Sequence, residues 1–409
     1  MKFLFLNTDY PEFLRWLYTQ QPNLESQPYE EQLRVRNASL FGVADFYSGN
    51  LRELGQEAYD IHANNEFMQK AWVRHQGIGP EGPAGAGERA RGALRHARRL
   101  AARTPLRHLK PLFLPALRAL DRRPPAWFYD ILSRQIKQYR PDVLVNHDML
   151  QISSAFLREM KPYVRLLVGQ HAAMPLGKAR DYGCYDLVIS SFPPTVEFFQ
   201  RDGMPAELNR MGFEPKVLSA LPAKTHTFDV TFIGSFQGVH SSRRTFLEAL
   251  CGRLDRSHAL NIWAPAIDHL PSRSPLREHY RGPVWGRDMY DVLNRSRITL
   301  NHHGDVLPYA NNMRLFEATG VGALLLTDWK ANLGELFVPG KEVAAYRTPE
   351  ECADLIRYYL AHEDERQAVA RAGQARTLRE HTYRQRVQEL VTIVHKYLRE
   401  GIFDHKRPC

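Results

Sequence analysis

Cysteine is scarce in this chain. Four residues, Cys184, Cys251, Cys352 and Cys409, are spread over 409 positions, and no two form a Cys-x-x-Cys pair. That excludes a disulfide framework and a cysteine-built zinc site, and fits a reducing cytoplasm. Long apolar runs are missing too: none approaches the ~18 residues of a membrane span. The apolar start, Met1–Asn7, has no small-residue cleavage site and reads as a first β-strand, not a signal peptide. Three chemical signatures are absent. Without Gly-x-x-x-x-Gly-Lys-Ser/Thr the chain does not read as a P-loop NTPase, and without Gly-x-Ser-x-Gly it does not read as an α/β-hydrolase. No Asp-x-Asp follows a strand with an acidic partner nearby, so no metal and no cofactor is expected.

What is present describes packed domains. Hydrophobic residues make up 44% and charged residues 24%, too much apolar material for a disordered chain. The length suits two domains. The net charge of +10 is local. Residues 81–123 hold eleven bases against three acids, an excess of eight, which leaves +2 for the rest. Leucines interleave these bases, so the segment suits either contact with an anionic membrane surface or a solvated insertion whose leucines pack inward. Basic residues confined to one arm do not make a folded nucleic-acid face.

The apolar pattern alternates between strand and helix periods. Strands are expected at Lys2–Asn7, Glu57–His62, Asp142–Asn146, Val164–Gly169 and Asp186–Ser190, with helices at Pro11–Tyr18, Phe46–Leu54, Trp127–Tyr139, Gln151–Met160 and Pro194–Asp202. A polar stretch to about Asn37 reads as irregular, and the Arg/Ala-rich piece Glu88–Arg103 reads as helical. After a pause at Asn209–Pro215 the rhythm restarts with strands Phe228–Ile233, Leu260–Trp263, Ile298–Asn301 and Ala323–Thr327. Its helices are Ser242–Leu254, Arg287–Arg295, Asn312–Thr319 and Thr348–His362. Glu365–Leu398 reads as helical and charged. Strands separated by single helices predict doubly wound α/β domains with ligands at the strands' carboxyl ends. The division expected is 1–205, with a basic Pro/Gly-rich insertion at about 78–125, then 216–385, then a C-terminal helix at 386–409 packing back on the first domain.

Chemistry concentrates after predicted strands. His302 and His303 end one; if the strand's alternation carried on, they would face opposite sides. A loop then delivers Asn311 and Asn312 to a helix start, where first-turn N–H groups favour an anion. Arg314 and Glu317 share a helix face. Arginine clamps phosphate oxygens, and a carboxylate accepts two hydrogen bonds from a vicinal diol, so the pair suits a nucleotide. The plainer alternative is an exposed i,i+3 ion pair. Gly234 and Ser235 follow the first strand of the second half, and Arg243 opens the next helix: a phosphate-facing turn, or an ordinary turn with solvated arginines. In the first half, His171 and Asp148 end strands and are the candidates for catalysis; the alternative is that they cap the helices after those strands.

Asn312-x-Arg314-x-x-Glu317 with the apolar strand ending at Asp328, then Asn332–Glu342, the helix from Thr348, and Ala372–Arg386, resembles the CgeB-like (spore-maturation type) glycosyltransferases of the GT-B fold. The resemblance covers roughly the last 180 residues. It implies two Rossmann-like domains facing each other across a cleft. The C-terminal domain would bind a nucleoside-diphosphate sugar without metal, through Gly234, Ser235, Arg243, His302, His303, Asn311, Asn312, Arg314, Glu317 and Asp328. Glu317 would meet the donor ribose, and the N-terminal domain would bind a glycan or lipid-linked acceptor. Related retaining enzymes carry a second glutamate where Tyr309 stands, so the anomeric outcome stays open. Two other readings stand beside it: a GT-B-fold nucleotide-sugar epimerase, and a non-enzymatic basic adaptor for membrane or nucleic acid. A cytoplasmic enzyme, peripheral on the inner face of the membrane, is the expected setting.

Overall fold

The computed structural model describes residues 1–77, 125–173, 181–236, 241–254, 260–303 and 309–399. The basic segment 81–123, with the helix expected at Glu88–Arg103, lies outside the described residues. Short runs rich in buried apolar side chains form two all-parallel sheets. The first has strands β1 (Lys2–Asn7), β2 (Glu57–His62), β3 (Val143–Asn146), β4 (Leu166–Gln170), β5 (Leu187–Ser190) and β6 (Ala206–Leu208), in the order β2-β1-β3-β4-β5-β6. The second has β7 (Phe228–Ile233), β8 (Leu260–Trp263), β9 (Ser296–Asn301), β10 (Leu324–Asp328) and β11 (Ala344–Tyr346), in the order β11-β10-β9-β7-β8.

These orders position the site. In each sheet the winding reverses beside the first strand, between β1 and β3 and between β7 and β9. At such a switch point the loops leaving the carboxyl ends diverge and open a crevice. The residues expected to act follow these strands: Asp148 after β3, Gly234 and Ser235 after β7, His302 and His303 after β9.

The structure departs from the sequence pattern in several places. Tyr29–Ala38 is a helix; its buried positions include Gln32 and Arg36, polar residues that made the stretch read as solvent-facing. Glu66–His75 is a helix in a stretch given no element. The strands β6 and β11, of three residues each, had no periodicity to betray them. The C-terminal helical run breaks into Glu363–Glu380 and Tyr383–Arg399. At the break, Phe213 donates its N–H to the His381 carbonyl and accepts from the Tyr383 N–H, a bridge that replaces helical bonds.

The Tyr383–Arg399 helix lies on the helix Phe46–Glu53 of the first sheet, where Tyr383 meets Phe46 and Tyr47 at ring distances of 5.1 and 5.2 Å. A second contact joins the halves through backbone. The Arg287 N–H, at the start of helix Gly286–Asn294, donates to the Ser39 carbonyl at 2.7 Å. Gly286 has φ +55°, and a Cβ there would stand 2.1 Å from the Ser39 oxygen. Only glycine fits both the left-handed backbone and the close approach. Among the described residues no helix is long and apolar enough to cross a membrane.

Candidate active site between the two sheets

On the C-terminal side, Gly234 leaves β7 with its N–H bonded to the Trp263 carbonyl. A Cβ there would meet the Phe232 ring at 3.0 Å, so the turn is tight. Arg243 is buried, with Nε donating to the His302 carbonyl at 2.7 Å and Nη1 to the Ser235 carbonyl at 3.4 Å. It therefore ties the loop after β7 to the loop after β9 rather than standing in solvent. Arg244 is half-exposed and paired with Glu248.

His302 and His303 do not face opposite sides. β9 ends at Asn301, so the alternation stops before them, and both approach Asp328 at the end of β10. His303 Nδ1 lies 2.6 Å from Asp328 Oδ1, which also accepts the His303 N–H at 3.0 Å. Lys330 stands 3.2 Å from the other carboxylate oxygen. Burial would raise Asp328, but the His303 hydrogen bond and the charges of His303, His302 and Lys330 outweigh it and hold it well below the usual carboxylate range. His302 stacks on Phe246 at 4.4 Å and shares a hydrogen bond with the Tyr346 hydroxyl; burial lowers it to about 4.

The Arg314–Glu317 pair is buried, not exposed. Arg314 Nη1 lies 2.9 Å from Glu317 Oε2, and Arg314 Nη2 contacts Met289 Sδ of the Gly286–Asn294 helix at 3.4 Å. Burial raises Glu317 above the ordinary glutamate value, and Arg314 offsets only part of that. Asn312 accepts from the Leu315 N–H at 3.4 Å, just before helix Arg314–Gly320, and donates to Asn301 Oδ1 at 2.9 Å. Asn311 reaches the other domain: its side-chain amide donates to the Ala172 carbonyl at 2.8 Å. Tyr309 packs edge-on against Phe192 of the N-terminal half.

On the N-terminal side, His171 is buried, and its carbonyl accepts from the Ser190 hydroxyl. Asp148 does cap the segment after it, accepting from the Leu150 and Gln151 N–H groups at 3.0 and 3.1 Å; it also takes the Thr8 hydroxyl at 2.6 Å. The neighbouring His147 is partly buried, with Nδ1 2.7 Å from Asn7 Oδ1, and desolvation lowers it to about 3.

Residues 243–392 match the family described as glycosyl transferase-like. The whole chain superimposes on solved glycosyltransferase structures. One from Rickettsia africae ESF-5 gives a TM-score of 0.54 at 9% identity, over 98% of this chain and 99% of that one. Sucrose-phosphate synthase from Thermosynechococcus elongatus gives 0.55 at 11%, over 98% and 100%. Anabaena HepE, solved with UDP-glucose, gives 0.58 at 11%, over 97% and 100%. Among curated proteins none matches the sequence. The chain has the GT-B fold, and its second half carries the glycosyl transferase-like match.

Sequence reasoning passed over one feature of this site. Asp9, Arg36 and His62 form a buried charge cluster after β1 and β2, with Arg36 Nη2 2.5 Å and His62 Nδ1 3.0 Å from the two Asp9 oxygens. Burial would raise Asp9, but Arg36 and His62 bring it far below its ordinary value. The one available signal was Asp9 and His62 at or near predicted strand ends; Arg36, on the helix Tyr29–Ala38, gave none.

Proposed function

We propose that this enzyme transfers a sugar from a nucleoside-diphosphate sugar to a hydroxyl of a glycan or lipid-linked acceptor, in bacterial polysaccharide or glycolipid assembly. The observation that carries the reading is the Asn311–Ala172 contact, which brings the helix of Arg314 and Glu317 up to the loop of His171. The donor lies against the C-terminal domain. Glu317 accepts from the ribose hydroxyls, with Arg314 holding its carboxylate. The Gly234–Ser235 turn, Arg243 and the first N–H groups of the Arg314–Gly320 helix face the diphosphate and stabilise it as it leaves, without metal. His303 and Asp328, with His302 behind them, border the sugar. His171 takes the acceptor proton in an inverting transfer, or orients the sugar in a retaining one, with Asp148 as its rival for the base.

The ordered motifs from Asn312 to Arg386 favour the CgeB-like subfamily, and HepE's solution with UDP-glucose makes a uridine nucleotide the first donor to try. The basic segment suits an enzyme working beside an anionic membrane. Equal pelleting with neutral and anionic vesicles would remove that part.

The deciding experiment is a thermal-shift screen against nucleotide sugars, since a ligand of the native state raises apparent stability. Donor consumption is then followed with and without acceptor sugars. Consumption that requires an acceptor supports transfer; conversion of the donor alone to its epimer would make the protein an epimerase.

A further inference from the structure

The loop leaving β1 is held from several sides. Asp9, with 1% of its side chain exposed, is gripped by Arg36 and His62. Its N–H donates to Asn64 Oδ1 at 2.8 Å, and its carbonyl accepts from Asn64 Nδ2 at 2.7 Å. Thr8 is bonded to Asp148 across the switch point. Buried ion pairs are weak stabilisers because desolvation opposes their attraction. What this one achieves is a fixed loop.

The next residue in that loop is Tyr10. It is 64% exposed, the most exposed large hydrophobic side chain among the described residues. Its ring is braced by Phe41 at 5.9 Å and, from the other domain, by Trp285 at 6.4 Å. Two residues before it, the Thr8 hydroxyl donates to Asp148 Oδ2 at 2.6 Å, which sets that carboxylate beside the same loop. An immobilised aromatic face, open to solvent in the cleft beside a carboxylate, is more than a folding requirement.

We propose that Tyr10 is the platform on which the ring of a sugar acceptor stacks, with Asp148 receiving one of its hydroxyls. The inference rests on the reading of glycosyl transfer and adds the acceptor's chemical class, a pyranose. An aromatic face carries partial negative charge, and a pyranose offers it a face of polarised C–H bonds. Asp148 Oδ2 accepts from Thr8 and keeps a second lone pair for a ligand hydroxyl. A nucleobase is also flat, but it arrives with a diphosphate. The groups suited to that charge, Arg243 and the Gly234 turn, belong to the other domain.

The test is saturation-transfer NMR on the full-length protein with UDP present, using methyl glucoside, galactoside and mannoside as probes. In the wild type, saturation should fall on the protons of one pyranose face. Tyr10→Ala should raise the dissociation constant about 3- to 10-fold, the range of one aromatic contact, while Tyr10→Phe keeps the wild-type value. Because Tyr10 is exposed, both variants should fold, which circular dichroism confirms. Wild-type affinity in Tyr10→Ala, or no pyranoside bound by the wild type, would overturn the proposal. So would a fall in UDP affinity alone in Tyr10→Ala, measured by calorimetry, since the ring would then stack on the nucleobase. A wild type that neither binds UDP nor consumes a nucleotide sugar would overturn the glycosyl-transfer reading itself, and this proposal with it.

Discussion

Asn311 donates its side-chain amide to the carbonyl of Ala172, 2.8 Å away and 139 residues earlier in the chain. One bond thus spans the cleft between the helix that carries Arg314 and Glu317 and the loop that carries His171. A second contact crosses the cleft from two residues earlier, where Tyr309 packs on Phe192, which follows β5.

His171→Ala should reduce turnover by about 10²- to 10⁴-fold, the usual worth of a positioned base, with donor affinity nearly unchanged. Asp148 already accepts two hydrogen bonds from its own turn and one from Thr8, so Asp148→Asn should cost less turnover. Steady-state kinetics beside nucleotide titration decides it. Near-normal turnover in His171→Ala, with a dead Asp148→Asn enzyme that still binds donor, hands the role to Asp148.

Arg314→Ala should strand a buried carboxylate. Removing one partner of a buried pair costs about 3–5 kcal/mol, which for a domain of this size lowers the melting temperature by roughly 6 °C or more. Adding Glu317→Gln to it should recover part of the loss, because the two residues are coupled. Glu317→Ala alone should weaken nucleoside-diphosphate binding at least ~10-fold, since charge-assisted hydrogen bonds are worth about 1.5–3 kcal/mol each. Unchanged affinity in a folded Glu317→Ala protein removes the ribose assignment.

Gly286→Ala should loosen the junction of the domains. The added carbon would stand 2.1 Å from the Ser39 oxygen, at a φ of +55°. Small-angle scattering should show a larger radius of gyration, and calorimetry a lower transition. A variant with wild-type scattering and stability would show that the helix start shifts without cost.

Stability should fall as the solution is acidified below neutrality. Burial lowers His147 to about 3 and His302 and His381 to about 4. Each is neutral when folded and takes up a proton near pH ~6.5 when unfolded. Stability is therefore full above that value and is lost progressively down to the folded values. At pH 5 each histidine accounts for about 2 kcal/mol. Urea midpoints across pH 4–8 measure it, and His147→Asn should flatten the profile; a flat wild-type profile would contradict the burial argument.

Much of this was written in local sequence. Apolar runs of strand length separated by helical periods mark both sheets, since a parallel strand covered on both faces must be apolar throughout. The strand ends marked where chemistry should lie, and the spacing of Arg314 and Glu317 put them on one helix face. Three residues cannot display a period, so β6 and β11 were invisible. The helix Tyr29–Ala38 was disguised because its buried face carries Gln32 and Arg36.

Only the tertiary structure decided what each charged group faces. Sequence spacing cannot distinguish an exposed ion pair from the buried one at Arg314 and Glu317, because burial depends on Met289, contributed by another helix. Nor does it show that Arg243 bridges two loops, or that His302 and His303 converge on one aspartate, because their partners follow other strands. The cluster of Asp9, Arg36 and His62 lay hidden for the same reason. Local pattern follows from neighbours along the chain, whereas a site is an arrangement of strand ends that parallel crossovers bring together from distant positions.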